Sequence, residues 1–195
     1  MPVTDEDTCA RIGRGDASAV SELLERDHAV ADLLFRASSA QSVGDGALKS
    51  AWATLIEDIR SGLVTGCLRA ALLERVIFAL DDRGEFDTAR TPALPGRGAF
   101  LAADDRWAGW WADEPVPWPE GAEPTPAQVL TVLRRIPLSL RVLLVVRDVA
   151  HLPAAQAERI VNRPSDRQAP ALEAARDAYV AYVDEEVARG CGPRT

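Results

Sequence analysis

Residues 146–176 read VRDVAHLPAAQAERIVNRPSDRQAPALEAAR. Val146, Val149, Leu152, Ile160, Val161 and Leu172 recur at spacings that put them on the inner faces of helices, and Asn162 interrupts the run where a turn is needed. The pattern predicts a short helix over 153–161, a turn, and a last helix ending near Val187. Ser165 is available to cap that last helix, but Pro170 stands five residues further on. In a helix interior a proline deletes one backbone hydrogen bond and clashes with the preceding turn, at a cost of about 3 kcal/mol. Two outcomes avoid it: a kink at Ala169, or a late start with Pro170 as the first helical residue.

Working outward, Thr125-Pro126-Ala127-Gln128 combines a capping threonine, a proline suited to the first helical position and a glutamine that completes a capping box. Leu130, Leu133 and Ile136 give this helix an apolar face, and Pro137 ends it and opens another through Leu140, Leu143, Leu144 and Val145. Nearer the start, a short acidic leader precedes a long amphipathic helix capped by Asp16 and carrying Val20, Leu23, Leu24, Val30, Leu33 and Leu34. A second helix from about Asp45 to Ser61 carries Leu48, Trp52, Leu55, Ile56 and Ile59, and a third spans about 64–80. No stretch alternates with period two over a useful length. The expected fold is all-α, with two small helical domains at 1–80 and 125–188, a linker at 81–124 and a tail at 189–195.

The linker differs in kind from its flanks. Residues 81–127 hold ten acidic residues against four arginines, seven of the thirteen prolines and four of the five tryptophans (Trp107, Trp110, Trp111, Trp118). That proline density opposes regular structure, while the tryptophans are too apolar for a free spacer. Phe100 and some of the tryptophans are therefore expected to dock on neighbouring helices or on a partner.

Over the whole chain, 22 Lys+Arg against 30 Asp+Glu give a formal charge of -8, so any phosphate contact requires a local basic patch or a larger partner. No basic run precedes an apolar N-terminal stretch and no apolar run is long enough to span a membrane, which points to a soluble cytoplasmic protein without membrane contact. Cys9, Cys67 and Cys191 are widely spaced, with no zinc-binding pattern. They read as reduced thiols, with a Cys67–Cys191 redox pair as the alternative. His28 and His151 are far apart and no nucleophile sits in a recognisable motif, so neither enzymatic activity nor a cofactor or metal is expected.

Ile136-Pro137-x-x-x-Arg141, then Leu144-x-Val146-Arg147-Asp148-Val149 and Leu152, resembles the LPxxxR...LRDVxGLS signature of the C-terminal domain of extracytoplasmic-function (ECF) RNA polymerase sigma factors. Ile160-Val161-Asn162, Leu172 and Ala175-Arg176 fall on the remaining frame positions, with Asn162 at the family's usual turn glycine and His151 at a second glycine. In the first domain, Gly15-Asp16, then Asp45-Gly46-Ala47-Leu48-Lys49-x-x-Trp52 and Leu68-Arg69-Ala70-Ala71-Leu72 follow the family's GD, EDxxQxxF/W and LRAWL in order and spacing. The resemblance implies a first domain that grips polymerase and melts promoter DNA, and a helix-turn-helix second domain that reads the upstream element. It implies core RNA polymerase, promoter DNA and an anti-sigma factor as partners. Asp45, Lys49 and Trp52 then fall on the polymerase contact, and Arg141, Arg147, Arg163, Arg167 and Gln168 on the DNA contact. Trp52 also reads as core, and Arg147 beside Asp148 as half of a surface ion pair.

Departures from the family pattern concentrate on charge. Gly46 and Lys49 replace an acid and a glutamine, and residues 74–90 hold five acids and three arginines where a strand-capturing groove wants basic and aromatic residues. On the recognition helix, Ala169, Ala171, Glu173 and Ala174 occupy positions where basic residues would meet the major groove. The expected activity is transcription initiation with weakened promoter reading. The alternative is a sigma-like regulator that acts through protein contacts as a decoy, adaptor or modulator.

Overall fold

A computed structural model describes residues 4–41, 43–64, 66–87, 106 and 124–190, with no side-chain detail at 187, 188 and 190. Among the described residues the chain is helical, and the only strand-like pairing is an isolated antiparallel bridge between Ser39 and Phe86. The leader forms a helix of its own, α1 (Asp5–Gly13), which the sequence reading missed. Thr4 caps it by accepting from the Asp7 amide, and Asp5, Glu6 and Asp7 fill the first turn, where the helix dipole favours negative charge. Only Thr8 and Ile12 of the helix are buried, so the acidic leader carries little apolar period to reveal it.

The long helix α2 (Ala17–Ser38) starts where expected, with the Asp16 carboxylate accepting from the Ser18 and Ala19 amides. α3 (Gly46–Arg60) ends in a turn at Gly62, whose φ of 70° suits glycine. α4 (Leu68–Asp82) begins four residues later than expected, and its cap comes from a distance: the Asp5 carboxylate of α1 accepts from the Leu68 amide at 2.8 Å. Trp52, Leu55, Leu72, Leu73 and Val76 bury the inner faces of α3 and α4.

Beyond the described gap, α5 (Pro126–Arg135) opens with the expected capping box between Thr125 and Gln128. α6 (Leu138–Leu144) runs into a wide π-type turn at Val145–Val149. α7 (Ala154–Val161), a 3-10 turn at Ser165–Arg167 and α8 (Gln168–Gly190) complete the chain. Of the expected apolar frame, Val146, Leu152, Ile160 and Leu172 are buried, but Val149 is 45% exposed because the π-type turn rotates it outward.

The last helix starts late, at Gln168 after the 3-10 turn, although Pro170 is not its first residue. Pro170 is the third residue of α8, inside the first turn, where its missing N–H leaves no helical bond unmade. The helix achieves this by starting three residues after Ser165.

The two groups of helices meet directly. α2 packs against α5, α6 and the π-type turn, and α4 against α7. Apolar side chains of both groups join one buried cluster. Most of the acidic tryptophan-rich stretch, with the docking expected of Phe100 and the tryptophans, lies outside the described residues, as does Cys191. Cys9 and Cys67 are free thiols, and burial, with Asp5 nearby, pushes the Cys9 thiol up. No helix of the described residues is long and apolar enough to cross a membrane.

Candidate functional site

The segment quoted at the outset folds as a helix, a turn and a helix. α7 ends at Asn162, whose backbone is left-handed (φ 47°, ψ 46°), a conformation that asparagine tolerates better than other non-glycine residues. His151, between the π-type turn and α7, is left-handed too (φ 55°). The side-chain amide of Gln168 then locks the turn, donating to Ala154 O at 3.0 Å and Arg163 O at 3.1 Å. Gln168 is 2% exposed, so it holds the turn together from inside and does not face DNA as expected.

Arg141 is corrected in the same way. Its side chain is 1% exposed, and its Nε donates to Ile136 O at 3.1 Å. Its Nη1 donates to Ala37 O and to Asp87 Oδ2, the latter at 3.0 Å. Burial, only partly offset by Asp87, pushes the guanidinium pKa down, as desolvation of a charge must. A residue so placed is an internal tie and offers nothing to a phosphate.

Arg147 is half-buried, with Nη1 turned to Gln168 Oε1 at a long 3.4 Å and a buried Nε that has no partner among the described residues. The ion pair imagined between Arg147 and Asp148 is replaced by one between helices: Arg176 of α8 grips Asp148 with two bonds of 2.8 and 2.6 Å, which raises the Arg176 pKa. Arg163 is half-buried and Arg167 exposed, and Arg167 forms no ion pair with a described residue. The open side of the first turn of α8 shows Ala169 and Pro170, with Glu173 half-exposed behind them. Of the five proposed DNA contacts, Arg167 is exposed, Arg163 and Arg147 are partly so, and Arg141 and Gln168 are buried.

On α3, Asp45, Lys49 and Trp52 lie along one stripe by helical spacing. Asp45 and Lys49 are both exposed and pair with each other at 2.9 Å. Trp52 is buried at 8% exposure, tilted against His28 with ring centres 6.4 Å apart, and its Nε1 has no hydrogen-bond partner among the described residues. It forms part of the wall of an open groove of about 410 Å³ between α2 and α3, with Val20, Leu24, Ala53, Ile56, Glu57 and Arg60. On α4, Phe78 is 70% exposed, but its neighbours one helical turn away are Glu74, Asp81 and Asp82.

Sequence reasoning missed a set of arginines that join the two groups of helices. Arg69 of α4 donates to Asp27, which is fully buried, and reaches Ala150 O at 3.1 Å. Arg134 of α5 donates to Arg36 O at 2.9 Å, and Arg159 of α7 pairs with Glu74 of α4 at 2.9 Å. No sequence signal pairs these residues, since their partners are backbone carbonyls or lie 85 positions or more away in three of the four contacts. Among the described residues no group of three His, Cys, Asp or Glu side chains converges as a metal site would.

No protein-family model, curated protein or solved structure matches this chain.

Proposed function

We propose that this protein is a transcription factor of the ECF sigma type that reaches promoters through core RNA polymerase and reads the upstream element weakly. The observation that carries this reading is the α7–Asn162–α8 arrangement, with its left-handed turn and buried apolar frame, standing at the motif positions of the family's promoter-reading helices. The exposed Asp45–Lys49 stripe on α3 is the polymerase-facing candidate. Arg163 and Arg167 are the remaining phosphate or base contacts. Co-elution of the purified chain with core polymerase, followed by transcription from the promoter upstream of its own gene, tests the reading. Stable association and promoter-dependent transcript are expected, and absence of association refutes it.

The alternative, a sigma-like regulator acting by protein contacts alone, is favoured by one feature: Arg141 and Gln168 are used inside the molecule. It predicts polymerase association with no promoter footprint.

A further inference from the structure

The groove of about 410 Å³ between α2 and α3 has an apolar lining of Val20, Leu24, Trp52 and Ile56, and Leu24 is 36% exposed. Its walls carry one acid and one base, Glu57 and Arg60, so no net charge there repels an anionic occupant. Arg60 is exposed and forms no ion pair with a described residue. Phe78 on α4 is more exposed than Leu24, but Glu74, Asp81 and Asp82 surround it with negative charge.

The chain itself carries a stretch suited to the groove. No proline interrupts the sequence between Pro95 and Pro115, and Phe100, Ala103, Trp107, Trp110 and Trp111 recur there at i, i+3, i+7, i+10 and i+11. That spacing gathers apolar side chains on one face, the pattern by which an amphipathic segment fills an apolar groove. Asp104, Asp105, Asp113 and Glu114 lie between and beside these residues and offer carboxylates to a cation such as Arg60. Both ends of the stretch are moored at the C-terminal end of α2: the Asp87 amide donates to Ser38 O at 2.8 Å, and Arg134 ties α5 to Arg36 O. Leu24 stands fourteen residues up α2 from Ser38, about 21 Å of helix. Trp110 follows Asp87 by 23 residues and precedes Thr125 by 15, extended reaches of about 75 and 50 Å, so it arrives with slack on either side. Trp118, seven residues before Thr125, has a reach of about 23 Å and little to spare.

We propose that the stretch Phe100–Trp111 fills the α2–α3 groove, with Trp107, Trp110 and Trp111 covering Leu24, Trp52 and Ile56. The acidic connection between the two groups of helices is then anchored on the first group and does not act as a free spacer. Neither polymerase nor DNA is needed for this contact, so it goes beyond the reading above and fails or stands separately from it.

The test uses the whole chain. Trp52→Phe leaves Trp107, Trp110, Trp111 and Trp118 as its only indoles, so tryptophan fluorescence then reports the connection alone. Emission is expected to be blue-shifted and shielded from acrylamide; emission and quenching like those of free indole overturn the proposal. Adding Leu24→Glu/Ala53→Glu in the groove is expected to raise the quenching constant at least about twofold, because three of the four rings lose their apolar cover, at unchanged far-ultraviolet circular dichroism. Adding Leu63→Glu/Phe78→Glu instead, at exposed positions outside the groove, is expected to change nothing. A rise in both variants, in the second alone or in neither puts the rings elsewhere and overturns the proposal. So does shielding that grows with protein concentration, which seats the rings on a second copy. If Trp52→Phe fails to fold, hydroxyl-radical footprinting of the wild-type chain decides: Trp107, Trp110 and Trp111 are expected to oxidise more slowly than Trp118 and to lose that protection in Leu24→Glu/Ala53→Glu. Equal rates at all four rings, or protection that survives those substitutions, overturn it.

Discussion

Replacing Arg141 by methionine removes the guanidinium and keeps a side chain of similar length. Three hydrogen bonds disappear, to Ile136 O, Ala37 O and Asp87 Oδ2. Bonds to a charged group contribute about 1.5–3 kcal/mol each, a gross loss of about 4.5–9 kcal/mol. Part of that returns because a desolvated charge is gone, the same burial that lowers the Arg141 pKa. Breaking a buried charged contact from one side costs about 3–5 kcal/mol net, and that range is expected here. Against a total stability of about 5–15 kcal/mol it is a large fraction, readable in equilibrium urea unfolding as a lowered midpoint at unchanged slope. Arg141→Lys recovers only part of the loss, because one ammonium cannot reproduce a planar fork between three acceptors on different elements. An Arg141 that served a phosphate at the surface would tolerate methionine within about 0.5 kcal/mol. A loss below about 1 kcal/mol refutes the internal tie and returns Arg141 to the DNA-facing set.

Three further expectations can be checked on the same instruments. Asp16 and Glu22 titrate below their ordinary values of 3.8 and 4.5 because they accept hydrogen bonds, Asp16 from Ser18 and then Arg11, Glu22 from Arg11. Their contribution is present above about pH 4.5 and is lost as the pH falls through the depressed folded values, so the wild-type Tm drops on acidification and Arg11→Ala flattens that slope between pH 5 and 3. His151→Gly relieves a left-handed non-glycine residue and is expected to gain about 0.5 kcal/mol by thermal unfolding, whereas Asn162→Gly is expected to be nearly neutral. Pro170→Ala is expected to change stability by less than about 1 kcal/mol, since the proline lies in the first turn of α8; a gain near 3 kcal/mol would mean that it strains a helix interior.

Helix existence was legible wherever apolar period and cap agreed. Asp16 and the Thr125–Gln128 box mark their helices because each side chain bonds the amides of its own first turn, a local event fully written in sequence. α1 escaped because its burial is slight, and α4 was placed early because its amide cap comes from Asp5, sixty-three residues away. The candidate site was harder for the same reason. Arg141, Gln168 and Arg167 are alike on paper, all polar residues at motif positions. What separates them is the tertiary surroundings: Ala37 and Asp87 close over Arg141, and Ala154 and Arg163 close over Gln168. Nothing described closes over Arg167.

The two left-handed residues explain why the frame is readable while the chemistry is not. A left-handed backbone costs a residue such as histidine about 1–2 kcal/mol, and His151 takes it up beside Leu152, which is 4% exposed. Burying a leucine contributes about 1.5–3 kcal/mol, and the same turn also seats Ala150 at 1% exposure with its carbonyl held by Arg69. Apolar burial on either side of the turn therefore outweighs the strain, and the backbone path does not require glycine at either position. Outward-facing positions such as Ala169, Pro170 and Glu173 take no part in that balance, so substitution there leaves the helices where they are. The shape of the promoter-reading candidate and its charge are thus set by different residues under different forces, and the first can persist when the second changes.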